Sequence, residues 1–134
     1  MNNEEKKQYL RRYQAAKKRA KMIQEEIDEL RSSKTSPVGL GDGLPHGSGT
    51  SDLSGYAARL DELMRELEAE REMQMVTYRE IWNQVKKIPN ATEQEVLTRR
   101  YLIGQSWGKI AVEMHYSYRQ IIRIHGAALQ HFSW

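Results

Sequence analysis

From Tyr9 to Leu30 the apolar residues Tyr9, Tyr13, Ala16, Ala20, Ile23, Ile27 and Leu30 recur at alternating spacings of four and three, and that rhythm leaves little choice of fold. Residues three and four apart share one side of a helix, so residues 3–33 are predicted to form one long helix with a narrow apolar seam, the heptad pattern of a coiled coil. No Gly or Pro interrupts the pattern before residue 37. A helix of this kind has only a stripe to bury and must find a partner helix to bury it.

A second helix is expected from about Leu53 to Ile88, with Ala57, Leu60, Met64, Leu67, Tyr78, Ile81, Val85 and Ile88 on its seam and Arg71 and Gln74 interrupting it. Between the two lies residues 35–52, with five Gly and two Pro, which break any helical or strand period and read as a flexible loop. This loop lacks the Gly-Lys-Ser/Thr ending and flanking strand of a phosphate-binding loop. Two single-seam helices joined this way are predicted to fold back as an antiparallel helical hairpin over residues 1–88. So thin a structure buries little, and pairing of two hairpins as a homodimer would cover the remaining faces.

Charge is uneven along the chain. Residues 1–34, 35–85 and 86–134 sum to +4, −5 and +4. In the hairpin the basic run from Arg11 to Lys21 lies beside Glu66, Glu68, Glu70 and Glu72, so it serves either as partner of that acidic stretch or as a contact for DNA. A basic C-terminal segment suits a polyanion.

Pro89-Asn90 closes the second helix, and residues 89–134 read as a separate module. Thr92-Glu93-Gln94-Glu95 has the form of a capping box opening a helix with Val96, Leu97, Tyr101 and Leu102 on its apolar face, stopped at Gly104. Ser106 is expected to cap a short helix from Trp107 to Met114 that turns Ile110, Ala111 and Met114 inward. Ser117, with Gln120 completing a second capping box, is expected to cap a last helix from Tyr118 to about Phe132 whose core face is Ile121, Ile124, Ala128 and Leu129. Two short helices with a tight turn between them form a helix-turn-helix, and the whole chain is predicted to be all-α.

The outward, N-terminal side of the last helix then carries Tyr118, Arg119, Gln120, Ile122 and Arg123. Arginine pairs bidentately with the acceptors of guanine, and Arg119 and Arg123, four apart, share a face. They are the leading base-contact candidates, against an ordinary solvated face as the alternative. Gln120 is a weaker base contact, and Ser117 and Lys109 are candidate phosphate contacts. Trp107 reads as a packing residue. His115, His125 and His131 lack the acidic or sulfur partners of a metal set, so no metal or other cofactor is expected. No nucleophile or acid-base pair converges, so no enzyme is expected.

The absence of cysteine excludes disulfides and thiolate chemistry and points to an intracellular protein. With no signal-peptide pattern and no long apolar stretch, a soluble, cytoplasmic protein with no membrane contact is expected.

Residues 93–129 resemble region 4 of sigma-70 family sigma factors, through Leu97, Arg100, Tyr101, Gly104, Ser106, Ile110, Ala111, Met114, Ser117, Ile121, Arg123, Ile124, Ala128 and Leu129. The chain as a whole is similar to phage and prophage regulators of the RinA/ArpU type, matched by Tyr116 to Gln120 and Arg123 to Leu129. That resemblance implies a helical hairpin ahead of a sigma region 4-like helix-turn-helix. It also implies binding of duplex DNA in the bacterial host, activation of late or packaging genes, and contact with RNA polymerase. Lys109, His115 and Ile122 depart from the pattern, standing where an acidic residue, a turn Gly and a polar base reader are usual. A small terminase-like packaging subunit, or an adaptor that docks on polymerase without binding DNA, are the competing expectations.

Overall fold

The computed structural model describes residues 1–35 and 49–134, with side chains placed for residues 1–33 and 53–134. Among the described residues the chain is all-helical, without strands. Helix α1 spans Asn3–Thr35, α2 Gly49–Val85, α3 Ala91–Leu97, α4 Trp107–Met114 and α5 Tyr118–His131, with a π-helical segment, Thr98–Ile103, following α3. The expected loop at residues 35–52 falls largely outside the described residues. At its edges Thr35 still belongs to α1, and α2 begins at Gly49, before Leu53.

The chain divides into two compact units, residues 17–72 and residues 1–16 with 73–134, so the division crosses both long helices. In the unit of residues 17–72, parts of α1 and α2 pair antiparallel. Ala20, Ile27, Leu63 and Leu67 are buried between them, with Ile23, Leu30 and Leu60 packed alongside. Arg19 Nε lies 3.0 Å from Glu70 and Arg59 Nη2 lies 2.7 Å from Glu26, so one basic residue of the run Arg11 to Lys21 meets the acidic stretch here.

The α2 seam differs from the expected one. Leu63 and Thr77 are buried while Ala57, Met64 and Tyr78 are exposed. Leu60, Leu67, Gln74, Ile81 and Ile88 fit either rotation of the helix, because both keep a residue every seven. Hydropathy alone cannot choose between Leu63 and Met64. The rotation adopted seats Leu63 and Leu67 against Ile27 and Ala20 and brings Glu70 to Arg19.

The unit of residues 1–16 and 73–134 holds the larger core. Leu10, Ile81, Val85, Ile88, Leu97, Tyr101, Leu102, Ala128, Leu129 and Phe132 form one buried cluster. Val96, Ile110, Ala111 and Ile121 form another, with Trp107, Met114 and Ile124 against it. Each fully buried Leu or Ile contributes about 1.5–3 kcal/mol relative to exposure. Leu10, absent from the expected seam, is completely buried.

Helix α2 ends at Val85, before Ile88, because the residue ahead of Pro89 is pushed away from helical geometry. Gln94 Nε2 donates to the carbonyls of Lys86 and Ile88 that this ending frees. The cap of α3 is Asn90, whose Oδ1 accepts from the Glu93 amide at 3.0 Å, and the expected capping box at Thr92 does not form. Asparagine is at least as good a cap as threonine and stands two residues earlier.

After Leu97 the chain widens into the π-helical segment and closes at Gly104, where φ is +88° and the amides of residues 104 and 105 both donate to the Arg99 carbonyl. Gln14 Nε2 takes up the carbonyls of Tyr101 and Leu102. The backbone conformation at Gly104 calls for glycine, and an added Cβ would press on the Gln14 carboxamide at 3.1 Å.

Candidate nucleic-acid interface

Two local devices set the start of α5. Helix α4 ends at His115 in left-handed geometry, φ +60°, with its amide donating to the carbonyls of Ala111 and Val112. Ser117 then caps α5, its Oγ accepting from the Gln120 amide at 3.1 Å while its own amide donates to Gln120 Oε1 at 2.8 Å. The expected capping box is therefore formed in full. Ser106 likewise caps α4, accepting from the Lys109 amide at 3.2 Å.

Helix α5 buries Ile121, His125, Ala128 and Leu129. This fixes its rotation and leaves Tyr118, Arg119, Gln120, Ile122 and Arg123 exposed. Neither Arg119 nor Arg123 makes an ion pair among the described residues. Ser117 is exposed beside them. Lys109 is exposed on α4, 4.0 Å from Glu113 Oε1. Glu113 is also held by Arg99 and by Gln105, so its charge is largely answered without Lys109.

Arg123 lines a shallow depression of about 360 Å³ with Asn90, Thr92, Glu93, Tyr116, Ile124 and Ala127. Tyr116, Asn90 and Thr92 are polar neighbours of Arg123 that sequence reasoning did not assign to the site. The sequence signals were the cap pattern, read two residues too far along, and Tyr116 at the start of the motif that carries the resemblance. Glu93 at the rear of the depression is buried, its carboxylate 2.8 Å from His131 Nδ1.

The outward face rests on a buried polar contact. His125 Nε2 lies 2.8 Å from the Tyr101 hydroxyl, the Trp107 ring packs edge-on against the imidazole at 4.5 Å, and the Arg100 guanidinium lies 4.4 Å over that Trp107 ring. Burial, reinforced by the positive charges of Lys7, Arg100 and Arg11, pushes the His125 pKa down to about 4. The ring is neutral at pH 7, and the phenol can donate to Nε2. At the far end of α5, Lys6 Nζ donates to the Leu129 carbonyl at 2.6 Å, a cation at a helix C-terminus.

No protein-family model, no curated protein and no solved structure matches this chain. Among the described residues there is no cluster of three or more His, Asp or Glu that could hold a metal ion, and no helix is long and apolar enough to cross a membrane.

Proposed function

We propose that this chain is a transcriptional regulator that binds duplex DNA through α5, with α4 and α5 acting as a helix-turn-helix and α1 and α2 as a helical hairpin through which two copies associate. The observation that carries the reading is the outward face of α5. It presents two arginines without ion-pair partners among the described residues, on a helix whose rotation is fixed by four buried residues and whose start is fixed by a complete capping box.

In this reading the N-terminal half of α5 enters the major groove, and Arg119 and Arg123 donate to the N7 and O6 acceptors of guanine. Ile122 offers no hydrogen bond and suits the thymine methyl group. Ser117 and Lys109 address phosphates, which set position without reading sequence. Regulation of transcription, as distinct from DNA binding, rests on the resemblance to phage regulators and to sigma region 4.

Selection of bound sites from random duplexes, followed by titration at several salt concentrations, tests the reading. Arg119→Ala and Arg123→Ala should each weaken binding to the selected site by about 1–3 kcal/mol, roughly 5- to 150-fold. Lys109→Ala should weaken all sequences alike and flatten the salt dependence by about one unit of slope. Failure to select any site, or unchanged affinity and slope in the double arginine variant, would sink it.

A further inference from the structure

We infer that the face of the second unit running from Met75 across Trp82 to Ile103 is where two copies of this chain pair about a two-fold axis. This deepens the dimer reading above and is independent of DNA binding.

Helix α2 carries two apolar stripes in this unit. Thr77, Ile81 and Val85 form the stripe buried within the chain. Met75, Tyr78 and Trp82, spaced three and four apart, form another, and they remain 64%, 41% and 38% exposed. A helix with one apolar stripe has one partner, and among the described residues the second stripe is only partly covered, with an edge contact from Tyr13 to Tyr78 at 5.2 Å between ring centroids.

Two grooves meet at Trp82. One, of about 390 Å³, lies between Tyr13 and Met75, Tyr78 and Trp82. The other, of about 330 Å³, runs from Trp82 to Ile103, which is 54% exposed. Together these four exposed side chains offer on the order of 400 Å² of apolar surface, the size of a monomer's largest patch, which is often functional.

Two features select a second copy as the occupant. The first is area. Face-to-face pairing would bury about 800 Å² of apolar surface from both chains, a fitting core for a stable interface of roughly 1,200–2,000 Å² once a polar rim is added. The second is charge. The groove on the Tyr13 side carries a single cation, Arg79, and no acidic group. The groove on the Ile103 side carries one anion, Glu95, and one cation, Arg99, paired with each other at 2.7 Å through Glu95 Oε2, which leaves Glu95 Oε1 with no side-chain partner among the described residues. A two-fold axis near Trp82 exchanges the two ends of the face and sets Arg79 of each copy toward Glu95 of the other. An isologous interface requires this kind of self-complementarity.

Sedimentation equilibrium of the full chain without DNA, at low to high micromolar concentration, tests the inference. The wild type should be a dimer, and Trp82→Glu and Met75→Glu should each weaken dimerisation by about 30-fold or more, as expected for central residues of an interface. Met64→Glu, also at an exposed apolar position, should leave it unchanged. Arg79→Glu and Glu95→Arg should each weaken it, and the double exchange should restore much of it. Far-UV circular dichroism establishes folding of each variant, and Met75→Glu, at the most exposed position, decides the matter if Trp82→Glu does not fold. A monomeric wild type, an assembly larger than a dimer, or a dimer indifferent to both glutamate variants would overturn the inference. Because no DNA is present, none of these results depends on the reading of α5.

Discussion

The two compact units draw on the same two long helices and are held together in different ways. Among the described residues, the unit of residues 17–72 buries four apolar side chains and aligns them with ion pairs on the flank, Arg19 with Glu70 and Arg59 with Glu26. Residues 1–16 and 73–134 surround the helix ends with α3, α4 and α5. There they bury two clusters together with polar contacts such as Tyr101 with His125 and Lys6 with Leu129. A helix pair alone satisfies its backbone and little else, whereas a helix pair with a third layer gains an interior. Stability is therefore expected to concentrate in the second unit, with local opening easiest in the first.

The sharpest way to break this contrast is to hollow each core in turn. Leu97→Ala, at a site with no exposure, should lower stability by about 3–4 kcal/mol and shift the whole denaturation curve. Ile27→Ala should cost nearer 2 kcal/mol and show mainly as faster amide exchange within residues 17–72. Equal costs with the same exchange pattern would mean that the two units open as one.

A smaller effect should arise from acid. His125 is neutral in the folded chain and titrates near 4, against an ordinary value of 6.5. Above pH 6.5 both folded and unfolded chains carry the neutral ring, and its contribution is intact. Between pH 6.5 and 4 only the unfolded chain takes up the proton, so stability falls as pH falls. From pH 7 to 5 the loss should be about 2 kcal/mol, read as a drop in denaturation midpoint. His125→Gln should flatten that slope, and an unchanged slope would place the acid sensitivity elsewhere. The smallest effect should be at the flank of the first unit. Arg59→Ala removes an exposed ion pair and should cost no more than about 0.5 kcal/mol by thermal denaturation, fading with added salt.

The helices and most of their caps were legible in the sequence because they depend on neighbours in the chain. The 3.6-residue period and the Ser106, Ser117 and Gly104 punctuation act locally, and the structure places each as read. What escaped depends on partners distant in sequence. The α2 seam turned on whether Leu63 or Met64 faced α1, a choice set by Ile27 and Arg19. The widening at Thr98–Ile103 has no period of its own and is closed by Gln14. His125 reads as polar, yet it is buried because Tyr101 can answer its ring nitrogen. The candidate site was legible as a face: Ser117, Tyr118, Arg119, Gln120, Ile122 and Arg123 are exposed together, with Lys109 on the preceding helix. Its neighbours Tyr116, Asn90 and Thr92 were not, since only the packing of α3 with α5 gathers them around Arg123.

The capping box at Ser117 has a consequence for the chemical language of that face. Because Gln120 Oε1 already accepts from the Ser117 amide, its carboxamide is held by the cap and presents chiefly its NH₂ group, poorly placed for the donor-plus-acceptor pair with which glutamine addresses adenine. The arginines and Lys109 have no acceptor to offer. Apart from the Tyr118 phenol, the polar tips of the α5 face speak mainly as donors, so under the proposed function the base edges beneath them should be rich in acceptors. That predicts a guanine-biased site with thymine methyl groups where Ile122 falls.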